Sequence, residues 1–200
     1  TSVSPTTTRP ELSRESRQQL IALQAQITTA VRQQNLRSIA LFSVGDTEEA
    51  SGVAAEVGRM VAGYSDLSVA LMRLCPERDL AIAKECELDI RPTLLPNLCD
   101  VKSGAKDVGL GSWLRFSGRE EAVARLRQHF ALTLMVGPSL TDYPEAALAA
   151  VDTNAVILVA RKNQTSQADL IFSCQLLEQA GAPILGVVLS DLADKGTSNS

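Results

Sequence analysis

The chain has 200 residues, room for one α/β domain with a sizeable core and short for two. Apolar residues make up 45% and aromatic residues 4%, so aliphatic side chains must fill that core. A net charge of −4 provides no electrostatic footprint for nucleic acid or an anionic membrane, and no apolar run approaches the roughly 20 residues of a membrane-spanning helix.

In chain order, residues 1–12 read as a Ser/Thr/Pro-rich flexible tail, 13–192 as a single domain, and 193–200 as a polar tail. From Ser13, a candidate N-cap, Leu20, Leu23, Ile27 and Val31 give helical spacing to about Gln34. Ile39 to Phe42 is an apolar strand. The helix after it carries Val53, Ala54, Val57, Met60 and Val61, with Gly63 as its stop signal. Leu67 to Leu74 is a nearly continuous apolar run, as in a parallel strand covered on both faces. Residues 75–118, broken by prolines and glycines, read as loops with short elements. Arg119 to Phe130 is a helix with Ala122, Val123, Leu126 and Phe130 on one side; Arg119, Glu120, Glu121, Arg125 and Arg127 are expected to form a solvated face. Ala131 to Val136 is a strand and Gly137-Pro138-Ser139 a turn. A helix at Pro144 to Val151, a strand at Ala155 to Ala160, a helix at Thr165 to Ala180 closed by Gly181, and a strand at Ile184 to Leu189 complete the pattern. Strands alternating with helices predict a mostly parallel sheet with helices on both faces.

The only histidine, His129, ends a helix with no recognisable nucleophile pairing, which points to a surface or cap role and excludes a multi-histidine metal site. Cys75, Cys86, Cys99 and Cys174 show no zinc-type spacing and read as structural thiols of a reducing compartment.

The most informative stretch is Ile39 to Gly58. A strand, a short loop and an alanine-rich helix follow the order of the phosphate-binding loop GxxxxGK[ST]. With the helices aligned, Ser51 takes the metal-holding Ser/Thr position, Ala50 the lysine, and Glu49 the preceding glycine. Asp46, Glu48 and Glu49 place three carboxylates where a polyanion would be neutralised. They also read as a solvated loop that charges a helix N-terminus favourably.

Residues 36–191 resemble the cytoplasmic domain of bacterial tyrosine kinases, within the wider group of MinD- and ParA-like ATPases. The resemblance rests on Asn154-Ala-Val-Ile-Leu-Val-Ala-Arg161, on Leu176-Leu-Glu-Gln-Ala-Gly181 and on Ile184-Leu-Gly-Val-Val-Leu189. It implies a P-loop NTPase-like, three-layer α/β fold, and it also shows where this chain departs from the pattern. The Asp-x-Asp strand end expected after Leu71 reads Met72-Arg73-Leu74, and the Walker B strand end, Asp-x-Pro-Pro, places Gly137 at the aspartate and keeps Pro138. Ser190 stands where an adenine-reading asparagine is common, and Gly186 is read as letting the strand end approach the loop or as a packing residue. The C-terminal tyrosine cluster is missing, since Tyr64 and Tyr143 are internal.

Together these replacements imply a pseudokinase or pseudo-ATPase with no catalytic residues, no metal and no cofactor. By resemblance it is a regulatory or scaffolding subunit of bacterial exopolysaccharide or capsule export. Its implied partner is an inner-membrane polysaccharide chain-length regulator or another export component, and homo-oligomers are also implied. The implied location is the cytoplasm, at the inner membrane only through a partner, without direct membrane insertion or nucleic acid. Two other readings are an unusual active ATPase or tyrosine kinase, with a cation supplied by Arg73 or Lys84, and a MinD/ParA-like spatial organiser. The helix from Ser13 to Gln34 and the Ser139-Asp142-Tyr143 turn are candidate contact elements, against packed-helix and ordinary turn roles.

Overall fold

A computed structural model describes residues 14–45, 47–76, 88–103 and 106–190, with the backbone alone at 14–16, 47 and 48. The expectations placed on Ser13, Asp46, Lys84, Cys86 and the two tails lie outside the described residues.

Strand β1 (Ser38–Val44) is buried along all seven residues. Alternation along a strand sends Ile39 and Leu41 to one face, and Ala40, Phe42 and Val44 to the other. The same alternation runs through β2 (Val69–Cys75), β6 (Leu132–Gly137) and β7 (Ala155–Arg161), so two apolar faces must be covered. Helices α1 (Arg14–Gln33) and α2 (Thr47–Tyr64) cover the Ile39 face through Leu20, Ile27, Val31, Val53, Val57 and Val61. The Phe42 face is covered by α3 (Leu110–Arg115), α4 (Arg119–His129), α5 (Ala147–Ala150) and α6 (Gln167–Ala180).

With β3 (Asp89–Pro92), β4 (Leu98–Lys102) and β8 (Ile184–Ser190), the strand order is β3-β4-β2-β6-β1-β7-β8, and the short β5 (Val108–Gly109) pairs with the end of β2. Every pairing among these strands is parallel except β3 with β4. The sheet is thus mostly parallel with helices on both faces, as the alternating pattern predicts. The chain leaves β1 toward β2 on one side and leaves β6 toward β7 on the other. The carboxyl ends of β1, β6 and β7 therefore bound the crevice where open α/β sheets bind ligands.

Several expectations need correction. Gly63 does not stop α2, which continues through it to Tyr64; Val57 and Val61 are fully buried, and their packing overrides the roughly 1 kcal/mol propensity cost of one glycine. The Ser65 hydroxyl then donates to the Val61 carbonyl at 2.5 Å. Within 75–118, β4 is a full sheet member, burying Leu98 and Val101; its polar Asp100 and Lys102 hide the strand pattern. The helix expected at Pro144 to Val151 is a 3-10 turn at Pro144–Ala146 followed by the single turn of α5. Gly186 permits no close approach, because a Cβ there would meet nothing within 4 Å. It instead floors a groove of about 540 Å³ between α1 and β8.

The face assigned to solvent on α4 is only partly solvated. Glu120, Glu121 and Arg125 are exposed, but Arg119 Nε pairs with Asp152 Oδ2 at 3.2 Å. Arg127 Nη2 donates to both Ser38 Oγ and the Asp152 carbonyl at 3.0 Å. These two arginines bridge α4 to the start of β1 and the end of α5, which helical spacing alone does not reveal.

Candidate functional site

The loop between β1 and α2 opens at Gly45, whose φ of +100° suits glycine. Ala50, in the first turn of α2, is fully buried in the core shared with β1 and β2, so no side chain from this position reaches the crevice. Ser51, half-buried beside it, accepts a hydrogen bond from Arg73 Nε at 3.3 Å. Arg73 Nη1 also pairs with Asp100 Oδ1 at 3.3 Å. A guanidinium on β2 is therefore held between a hydroxyl on α2 and a carboxylate on β4.

Strand alternation decides which neighbours Arg73 has. Val69 and Leu71 face α2, so Arg73 does too, and its register partner on β6 is Val136. Gly137 lies on the opposite face, where a Cβ would stand 2.0 Å from Phe42 Cε1. Of these two residues, Val136 is the one beside Arg73 and on the Ser51 side. The glycine at 137 has a local cause, since the Phe42 ring lies against the Gly137 backbone.

Glu49 corrects the picture of a solvated acidic loop. Its side chain is only 6% exposed, and Oε1 pairs with Arg161 Nε at 3.1 Å, while Oε2 has no hydrogen-bond partner among the described residues. Asp46 and the side chain of Glu48 lie outside the described residues. Arg161 ends β7, and Thr165 fixes that end. The Arg161 amide donates to Thr165 Oγ1 at 2.8 Å, and the Thr165 hydroxyl donates to the Val44 carbonyl at 3.0 Å. One hydroxyl thus ties the site ends of β1 and β7.

The sequence singled out Ser51, Ala50 and Glu49 and missed Arg161 as the partner of Glu49, Asp100 as the second partner of Arg73, and Thr165 as the residue that holds the Arg161 backbone. An arginine closing an apolar strand is a signal that could have found Arg161; the Asp100 partnership needs the sheet register. Ser139 is buried, with its Oγ 2.7 Å from Thr141 Oγ1, and the Tyr143 amide donates to the Ser139 carbonyl, which is turn chemistry. His129 is exposed and its Nδ1 lies 2.8 Å from the Arg125 carbonyl, in keeping with a surface role. Cys99 and Cys174 are free thiols, and all three described cysteines, Cys75 included, are half-buried. Among the described residues no cluster of three or more His, Cys, Asp or Glu could hold a metal ion, and no helix is long and apolar enough to cross a membrane.

No family model matches the sequence, and no curated protein matches it at a significant level. Solved structures do. The kinase domain of the Escherichia coli tyrosine kinase ETK superposes with a TM-score of 0.70 at 17% identity, over 90% of this chain and 77% of that one. The VpsO kinase domain gives 0.68 at 18% identity, over 90% of this chain and 98% of that one. A ParA family ATPase from Chlorobium tepidum gives 0.53 at 14% identity, over 80% of this chain and 75% of that one. The chain has the fold of these kinase domains, a P-loop NTPase-like α/β sheet, in agreement with the resemblance drawn from its sequence segments.

Proposed function

We propose that this chain is a degenerate member of the bacterial tyrosine-kinase group that uses the fold without phosphoryl transfer, as a regulatory or scaffolding subunit of exopolysaccharide or capsule export. The observation that carries the reading is the position of Arg73. Its guanidinium sits on the Ser51 hydroxyl, the group aligned with a magnesium ligand, and its neighbour on β6 is the apolar Val136. Mg²⁺ needs oxygen ligands, and phosphoryl transfer in this class depends on positioning and charge neutralisation. A cation beside the hydroxyl repels the metal, Ala50 offers no ammonium, and Val136 offers no carboxylate. The residues present do not fit a Mg²⁺–nucleotide pair, and no reaction step is assigned to one.

The alternative of an active enzyme using Arg73 as its cation is disfavoured, because that guanidinium already serves Asp100 and Ser51. The partner in this reading is the cytosolic end of a membrane chain-length regulator, and the location is the cytoplasmic side of that membrane.

Calorimetry with ATP and ADP, with and without Mg²⁺, tests the first half of the reading. The expected result is no binding heat up to millimolar nucleotide and no turnover. Micromolar Mg²⁺-dependent binding would reopen the enzyme assignment. Co-purification with the cytosolic ends of a chain-length regulator tests the second half, and a chain that never associates with them would remove the scaffolding role.

A further inference from the structure

The two edges of the sheet are built in opposite ways. β3 carries Asp89, Arg91 and Pro92 among its four residues, and charges and proline keep an edge from pairing with another chain. β8, at the other edge, reads Ile184-Leu-Gly-Val-Val-Leu-Ser190 and has neither a charge nor a proline. Its backbone is committed on one side only. The Ser190 carbonyl accepts from the Lys162 amide on the β7 side at 2.8 Å, and alternation along a strand then turns the amides and carbonyls of Val187 and Leu189 outward. Among the described residues no strand pairs with that outer edge. Apolar surface flanks it on both faces. Val187 and Leu189 share the α6 face with their register partners Leu158 and Ala160, yet they remain 43% and 55% exposed. On the opposite face, Val188 borders the groove between α1 and β8, whose lining residues, Leu23, Ile27 and Gln34 among them, are all uncharged.

A strand added at this edge must bring an uncharged run, because a charged side chain would lie on apolar surface with no opposite charge to meet it. β8 is itself such a run. We propose that the β8 edge docks a second copy of this chain, with the two β8 strands antiparallel about a two-fold axis at Val188 and the two sheets continuous across it. Val187 of one copy then exchanges two backbone hydrogen bonds with Leu189 of the other, and the axis repeats the pair. Every outward amide and carbonyl of these two residues is satisfied. Their side chains meet on the α6 face, apolar against apolar, and Val188 meets its own copy beside the groove. The exposed parts of Leu185, Val187 and Leu189 amount to roughly 250 Å² per copy, about a third of the roughly 800 Å² that a standard interface takes from each partner. With the strand backbones and the groove walls added, that area suits a dimer that dissociates on dilution. The proposal needs only the fold and is independent of whether the crevice binds nucleotide.

Sedimentation of the full chain over a concentration series, without nucleotide, reads the assembly directly. Wild type should show a monomer–dimer equilibrium with a dissociation constant on the order of 10 μM. Val187→Pro removes an outward amide and no bond to β7, a place where an edge strand tolerates proline, and should weaken the dimer at least tenfold. Leu189→Lys puts on β8 the kind of charge that guards β3; it should weaken the dimer as much, and it serves if Val187→Pro does not fold. The register has its own readout. Residues at the axis form a non-hydrogen-bonded pair with Cα atoms about 4.5 Å apart, within disulfide reach. Val188→Cys under mild oxidation should therefore give a covalent dimer above the background set by the four cysteines of the wild type. A wild type that stays monomeric at about 1 mM would overturn the proposal and leave the edge to a segment of another protein. So would a dimer that survives both substitutions in folded protein, or one in which Val188→Cys does not cross-link, since its interface would lie elsewhere. Mg²⁺–ATP binding by the wild type would instead sink the non-catalytic reading and leave this dimer untouched.

Discussion

Gly137 illustrates how one residue can be read for the wrong reason. In the sequence it stands near a lost carboxylate, but in the fold it is a glycine because Phe42, its register partner on β1, lies against it. A methyl group at 137 would meet the ring at 2.0 and 2.4 Å, and both residues are held in paired strands at the centre of the sheet. Gly137→Ala should therefore destabilise the protein by about 3 kcal/mol, at the upper end of overpacking costs. Phe42→Ala alone should cost about 3–5 kcal/mol through the cavity it leaves. The two changes occupy the same space, so the double variant should lose at least 1 kcal/mol less than the sum of the singles. Urea unfolding of the four proteins measures this coupling, and simple additivity would remove the steric explanation. Arg73 and Val136 carry the complementary lesson. Their proximity to Ser51 was hidden in the sequence because it depends on which side of each strand they occupy, and a one-residue shift in alignment reverses that side.

At the scale of elements, the strands and long helices were legible because their signals are local. Ser166 accepts from the Asp169 amide to start α6, and Gly181, at φ +75°, ends it. Strand β4 and the tethering of α4 were not legible, because both depend on partners far away in sequence. The tether centres on Asp152, whose carboxyl is raised above its ordinary 3.8. Burial is the main cause, and Glu120 adds to it, while the neighbouring Arg119, Trp113 and Arg127 act in the opposite direction. A raised carboxyl means that the native state binds more protons than the unfolded chain above pH 3.8. Stability from this group therefore falls as pH rises from about 3.8 through the native value, and is level above it. Asp152→Asn has no proton to lose. The stability of wild type relative to this variant should decline across that window and then run parallel to it, superimposed on a constant offset from replacing the carboxyl with an amide. Urea midpoints measured at half-unit steps from pH 3.5 to 7 give the comparison, and a constant difference throughout would contradict the raised carboxyl.

Across the whole molecule, order should be graded outward from β1. This strand is buried along its full length and hydrogen-bonded on both sides by parallel neighbours, β6 and β7. Helices cover both of its faces, so its amides open only when the sheet comes apart. β3 is the opposite case, a four-residue antiparallel edge strand with every residue exposed. β8 lies between these extremes, paired to β7 on one side while Leu185, Val187 and Leu189 remain largely exposed. Opening free energies span from near zero to the global value according to burial and pairing. Native-state hydrogen exchange should therefore place the amides of β1, β6 and β7 near the global unfolding free energy, with β3 lower by more than about 3 kcal/mol. The same gradient bears on the crevice. Arg161 and Val44 end the two most protected strands, and Thr165 joins them, so the Arg161 amide should exchange with β7 rather than with the loops around it. If that amide exchanged as fast as β3, the Thr165 link would not hold the end of β7, and the Arg161 guanidinium at the crevice would rest on a frayed strand end.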